Sequence, residues 1–139
     1  MTKLNRVIFS SKSPHYATPK KLYKLLDEEF HFNDDPCPIG NDIDGLMRSW
    51  GETTFCNPPY GKNINKWLMK AYMESLNGKI IVLLVPSRTD TKWWHDWAML
   101  AQEIRFIKGR LQFENSIFPA PFPSTILVFR PKNWSVIKQ

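Results

Sequence analysis

Cysteine, acidic residues and long apolar runs are all scarce in this chain of 139 residues. The two cysteines, Cys37 and Cys56, form no CxxC and no Cys/His ligand spacing. They are read as reduced, buried, small apolar residues rather than redox or metal groups, and no metal is expected. No apolar run approaches the ~18 residues of a membrane span, and no signal-peptide pattern opens the chain, so no membrane partner is expected and the location should be cytoplasmic. That would be the bacterial host cytoplasm if the protein is phage-encoded. Asp and Glu number 13 against 19 Lys and Arg, for a formal charge of +6 and a pI near 9.4. A polyanion is the natural partner for such a surface, although charge bears on association and not on activity. With no internal repeat, low-complexity tract or linker, the length fits one domain.

Aromatic residues, by contrast, are abundant: 14% of the chain, with six tryptophans. Rings interleaved with basic residues suit stacking on bases, although most should be core. Residues 1–17 mix Ser, Lys and Asn around Val7-Ile8-Phe9 and are expected to be a flexible N-terminal segment. Thr18 is a suitable N-cap and Pro19 a suitable first helical residue, and Leu22, Leu25, Leu26 and Phe30 follow at helical spacing. Residues 30–35 should form a short strand, broken at Pro36 and Pro38. A second helix is expected from Ile64, Trp67, Leu68, Ala71, Tyr72 and Leu76, ending at Asn77-Gly78. The unbroken apolar run 79–85 then reads as a parallel strand buried on both faces. A third helix should carry Trp93, Trp94, Trp97, Ala98 and Ala101. The last third reads as strands over 103–107, 111–113 and 125–129, the final hairpin adding an antiparallel strand to the edge of a parallel sheet.

The most informative stretch is Thr53-Thr54-Phe55-Cys56-Asn57-Pro58-Pro59-Tyr60-Gly61. A β-prone run stops abruptly and presents an amide, two rigid prolines and a ring at a strand's carboxyl end, where ligands bind in open α/β sheets. Prolines lack an N–H, leaving the carbonyls of Asn57 and Pro58 available as acceptors. Together these groups suit a flat, amine-bearing ligand; the plainer reading is a tight proline turn. Asp35 stands at the end of the strand before it, an acidic turn being the alternative there. Only 21 residues separate Asp35 from Asn57, fewer than the roughly 30 that a βαβ unit takes. A full crossover helix with extra strands does not fit.

Three segments thus stand in order: Ala17-Thr18-Pro19, Asp35-Pro36-Cys37-Pro38 and Asn57-Pro58-Pro59-Tyr60. With Pro86-Ser87-Arg88-Thr89-Asp90-Thr91-Lys92 and Gly109-Arg110-Leu111-Gln112-Phe113 behind them, the set resembles the phage-type DNA N6-adenine methyltransferase family over about 15–131. The resemblance implies a compact α/β, Rossmann-like methyltransferase sheet, mostly parallel with an antiparallel C-terminal hairpin and shortened by loss of the second and third strands. It implies a single minimal domain over 18–139 without a separate target-recognition domain. It also implies methyl transfer from S-adenosylmethionine to the exocyclic amine of adenine in DNA. Thr18 and Pro19 would pack on the cofactor's methionine part, Asp35, Pro36 and Cys37 would be its main binding motif, and Asn57, Pro58, Pro59 and Tyr60 match the catalytic motif.

The chemistry of those residue types agrees. An adenine amine is a poor nucleophile because its lone pair is delocalised into the ring. Hydrogen bonds from that amine to the Asn57 side-chain oxygen and the Pro58 carbonyl would make the nitrogen more tetrahedral and stabilise the developing charge. Tyr60 would stack on a base flipped out of the duplex. The chain has no Gly-x-Gly, and Asp44 or Asp42 is the candidate for the cofactor ribose. Sequence choice would fall to the loops 61–66, 86–92 and 115–123, so loose specificity is expected. Lys62, Lys66, Arg88, Lys92 and Arg110 are candidates for phosphate contact, with a solvated surface role as the alternative for each. Methylation of an RNA adenine or a protein glutamine amide is an alternative reading, and a non-catalytic DNA-binding remnant another. A homodimer embracing DNA is one arrangement open to so small a domain.

Overall fold

The most apolar run of the chain becomes the spine of its sheet. In the computed structural model, which describes residues 15–38 and 44–132, β2 (Ile80–Pro86) lies between β1 (Thr53–Cys56) and β4 (Ser124–Phe129), with β3 (Glu103–Phe106) beyond β4. Ile81 to Pro86 and all of β4 are buried, as strands covered on both faces must be. β1 pairs parallel to β2, with Thr53 opposite Ile80. β4 pairs antiparallel to both β2 and β3, with Val82 opposite Val128 and Ile104 opposite Leu127. Three of the four strands therefore point the same way. Because the reversed strand sits between two of them, only one pairing is parallel, fewer than a mostly parallel sheet would have.

One consequence positions everything that follows. The carboxyl ends of β1, β2 and β3 and the amino end of β4 share one edge of the sheet. The loops 57–63, 87–91 and 107–123 all emerge there.

Among the described residues three helices accompany the sheet: α1 (Lys20–Phe30), α2 (Ile64–Leu76) and the short α3 (Lys92–Asp96), the last followed by a 3-10 turn at Ala98–Leu100. Of the stripe expected on α2, Ile64, Trp67, Leu68 and Ala71 are buried and Tyr72 is half-buried, but Leu76 at its end is exposed, and the chain leaves the helix through Gly78 at φ 89°. Thr91 caps α3, its hydroxyl accepting from the Trp94 N–H at 3.3 Å. The expected third helix stops at Asp96 and the remainder tightens into the 3-10 turn.

Three local expectations are corrected. The first helix begins at Lys20, with Pro19 at its cap position and no side-chain cap, because the Thr18 hydroxyl is used elsewhere. The strand expected over 30–35 shrinks to a single parallel bridge, Asp34 beside Thr54, since helix α1 persists to Phe30 and leaves by a left-handed His31 at φ 57°. Residues 111–113 are not a strand; they form one limb of a loop closed by Ala120 N–H donating to the Leu111 carbonyl at 2.7 Å. In addition, residues 15–17 are tied into the fold. The Ala17 N–H donates to Asn115 Oδ1 and Asn115 Nδ2 to the His15 carbonyl, both at 2.9 Å, and the Ala17 carbonyl accepts from Glu114 N–H. The rest of the segment expected to be flexible lies outside the described residues.

The short connection before β1 is held by side chains instead of a strand. Arg48 donates two bonds to Asp34, at 2.8 and 2.9 Å, and the Gly51 N–H donates a third at 2.8 Å. Trp50 is buried and its indole donates to the Gly45 carbonyl at 2.7 Å. A side chain on Gly45 would meet the Pro36 carbonyl at 2.3 Å and the Trp67 ring at 2.5 Å, so the loop needs glycine there. Glu74 of α2 then clamps the loop: it accepts from Trp50 N–H at 3.1 Å and pairs with Lys79 at 2.6 Å and Lys70 at 3.0 Å.

Candidate active site

Two cavities open beside the β1 edge, and the Tyr16 side of the chain walls both. The first, of about 350 Å³, is lined by Tyr60, Ile64, Pro86, Arg88, Trp93 and Phe122 together with Tyr16. The second, of about 400 Å³, is lined by Tyr16, Thr18, Tyr23, Asp35, Cys37 and Phe55 among others. Both volumes lie in the roughly 300–1,000 Å³ range of small-molecule sites.

Asn57 follows β1 directly and is buried, 2% exposed. Its amide nitrogen donates to the Tyr16 carbonyl and, at 3.1 Å, to Thr18 Oγ1. A backbone carbonyl can only accept, so the nitrogen must face Tyr16; turning the amide over would set two acceptors against each other. The Asn57 side-chain oxygen is left buried and without a partner. Buried acceptors are nearly always satisfied, and one that is not points to a missing partner.

Tyr60 is anchored rather than free. Its hydroxyl donates to the Leu84 carbonyl at 3.1 Å, and burial pushes its phenol well above the usual value, so it serves as a neutral ring. That ring stands 5.3 Å from Tyr16, 5.7 Å from Phe122 and 6.3 Å from Phe113, centroid to centroid. Pro58 and Pro59 are buried with it.

The two neighbouring acids do different work. Asp34 is held below the usual carboxylate range by the Arg48 bonds, against the opposing effect of burial. Asp35 is pushed up, chiefly by burial, with the nearby Asp34 charge adding to it and the bond from Cys37 N–H opposing it. That bond, at 3.1 Å, is a local turn. Among the described residues Asp35 has no ion pair, and it faces the second cavity. Cys37 and Cys56 are buried and unoxidised, with the Cys37 sulfur 3.8 Å from the His15 ring. Among the described residues no group of His, Cys, Asp and Glu is placed to hold a metal, and no helix is long and apolar enough to cross a membrane.

A family model described as DNA N-6-adenine-methyltransferase (Dam) matches residues 8–122, most of the chain. The chain belongs to the Dam family. No curated protein sequence matches it.

Within this Dam-family chain the expected site residues divide by place. Thr18, Asn57 and Tyr60 meet at the Tyr16 partition, whereas Asp35, Cys37 and Thr18 line the second cavity. Pro36 is buried, and Pro19 stands at the cap position of α1. Asp44 opens a 3-10 turn, Asp44–Leu46, and Asp42 lies outside the described residues. Lys62, Lys66, Arg88, Lys92 and Arg110 are exposed on the loops and the start of the helices at the same edge. Arg88 lines the first cavity, its guanidinium 5.7 Å from the Phe122 ring, and Lys92 pairs with Asp96 on its own helix.

The residue that sequence reasoning missed is Tyr16. Its ring lies 4.8 Å from Phe113 and 5.4 Å from Phe122 as well as against Tyr60, and its carbonyl orients Asn57. The one available signal was an aromatic two residues before Thr18 in an otherwise polar segment.

Proposed function

We propose that the protein transfers a methyl group from S-adenosylmethionine to the N6 amine of adenine in DNA, through a single minimal, shortened Rossmann-like methyltransferase domain. The observation that carries the reading is the fixed Asn57 amide. Both its hydrogens are taken by Tyr16 and Thr18, while its oxygen is buried and unpaired. An acceptor preset in a low-dielectric site stabilises the positive charge that develops on the attacking amine without reorganising during the reaction. The Pro58 carbonyl takes the second N6 hydrogen, so the lone pair is turned out of conjugation; the methylated nitrogen then carries a surplus, strongly acidic proton that passes to water, and no strong base is required.

The second cavity fits the cofactor on its own chemistry. A half-buried carboxylate that makes no ion pair among the described residues, Asp35, suits an ammonium group. Thr18, Pro36 and Cys37 shape the cavity around it, and Asp44 is the acid for the ribose. When bound, S-adenosylmethionine supplies the electrophilic methyl of its sulfonium. The first cavity takes the base, which must leave the duplex stack to reach it. Tyr60 provides the stacking face. Since Tyr16 covers that face, an entering adenine displaces the Tyr16 ring; rotation of the side chain leaves the Tyr16 carbonyl on Asn57 and joins the two cavities. Lys62, Lys66, Arg88, Lys92 and Arg110 contact phosphates and position the duplex.

The test is methyl transfer from labelled cofactor, with duplex DNA, RNA and a protein extract as competing acceptors. DNA should be labelled at adenine N6. Asn57→Ala should lose about 100- to 1,000-fold in kcat, the effect of deleting one preorganised electrostatic group, while calorimetry shows the cofactor still bound. Unchanged transfer by the variant refutes the mechanism, and label in RNA or protein alone refutes the acceptor.

A further inference from the structure

We propose that Ile117 and Phe118, at the tip of the loop between β3 and β4, form a wedge that enters duplex DNA and fills the gap left by the extruded adenine. The inference rests on the reading of the first cavity as a pocket for a flipped base. Ile117 is 72% exposed and Phe118 57% exposed. They are adjacent in sequence, in a loop whose other two phenylalanines, Phe113 and Phe122, are buried.

Those buried rings link the tip to the site. Phe113 stands on one limb of the loop and Phe122 just beyond the other, and both pack on Tyr60 and Tyr16. The tip therefore projects from the wall of the base cavity at the edge where Asn57 lies. It is also stiff. Ala120 N–H closes the loop onto Leu111 at 2.7 Å, and Ser116 N–H turns it onto the Phe113 carbonyl at 3.0 Å. The Ser116 hydroxyl bonds both the Phe118 carbonyl, at 2.9 Å, and the Phe118 N–H, at 3.2 Å. Asn115 fastens it to His15 and Ala17 at 2.9 Å each. A loop already ordered loses little conformational freedom when it binds.

The occupant follows from size and charge. Two side chains are far too small for a stable protein interface, which takes about 20–30 residues a side. They match the apolar wedges, often Phe or Ile, that proteins insert between base steps. Lys108 and Arg110 are exposed at the foot of the same loop and Arg88 on the cavity wall, where phosphates flanking a wedged step need cations. The loop's one acid, Glu114, lines the other cavity.

The experiment compares the unaltered protein with an Ile117→Ala/Phe118→Ala double variant, and with Phe118→Leu as a conservative control. A site mapped by sequencing methylated plasmid is rebuilt in short duplexes, with the target adenine opposite either thymine or an abasic nucleotide. The double variant should lose about tenfold or more on the paired duplex, where extrusion is costly, and stay within about twofold of wild type opposite the abasic site. Phe118→Leu should retain most activity, and the melting midpoint should not move. Equal loss on both substrates, or no loss on the paired duplex, overturns the wedge. Absence of methylation by the wild-type protein on both substrates overturns the reading of the site itself, and the wedge with it.

Discussion

Replacing Thr18 by valine removes one of the two acceptors that hold the Asn57 amide while leaving the side chain nearly the same shape. In the native site Thr18 Oγ1 lies 3.1 Å from Asn57 Nδ2, with the Tyr16 carbonyl taking the other hydrogen. The variant strands a buried N–H, which costs about 1–3 kcal/mol, so the melting midpoint should fall by several degrees. Catalysis should suffer in a distinctive way. The Tyr16 carbonyl still prevents a full flip, but the amide gains freedom to swing and its oxygen is no longer preset. A kcat loss of about ten- to a hundredfold is expected, smaller than for deleting the acceptor in Asn57→Ala. Thr18→Ser keeps the oxygen and should recover most of the rate. The assay is single-turnover methyl transfer at saturating cofactor, with cofactor affinity measured separately by calorimetry. A valine variant with wild-type kcat, or one that loses only cofactor affinity, would falsify the claim that Thr18 acts through Asn57.

Two further outcomes follow from the charges. Asp35→Asn should weaken cofactor binding by about ten- to a hundredfold, as loss of a charge-assisted bond predicts, and yet stabilise the free protein at neutral pH. The Asp35 pKa is raised from the ordinary 3.8, mainly by burial, so ionisation works against the fold. The variant's advantage should be absent below the ordinary value, grow as pH rises through it and level off above the raised one; melting curves against pH check this. Glu74→Ala should cost roughly 3–5 kcal/mol in urea unfolding, because it leaves Lys79 and the Trp50 N–H without their buried carboxylate. Burial opposes ionisation of Glu74, but the Lys79 and Lys70 bonds outweigh it and the pKa falls below the ordinary 4.5. Its stabilisation is therefore full above that value and lost as pH falls through the lowered one, so the gap between wild type and variant should close in acid.

Much of the candidate site was legible because its residue pattern is local. Asn57-Pro58-Pro59-Tyr60 follows a strand that its own composition predicts, and the apolar run 79–85 could only be an interior strand. Direction along a shared sheet then places the loops after β1 and β2 on one edge. What was misread involved competition between partners far apart in sequence. Thr18 has the composition of a helix cap, yet its hydroxyl goes to Asn57, 39 residues away. Residues 30–35 carry a strand's pattern, but α1 runs on to Phe30 and Asp34 is occupied by Arg48 and Gly51, leaving one bridge. Residues 111–113 alternate like a strand, yet Phe113 is drawn under Tyr16 and Tyr60.

Tyr16, in a segment expected to be flexible, shows the division most clearly, because its carbonyl and ring are both held in the site. By itself the sequence determined the mixed α/β class, though not the balance of parallel and antiparallel pairing, together with the sheet edge at which the amide, prolines and ring are offered, since these depend on periodicity and on the covalent character of each side chain. Only the tertiary structure decided which way the Asn57 amide points, that Arg48 pairs with Asp34 while Asp35 makes no ion pair among the described residues, and that Tyr16 lies between the two cavities. Each of those outcomes depends on which distant donor or ring arrives first at a shared buried position, and local sequence does not encode that.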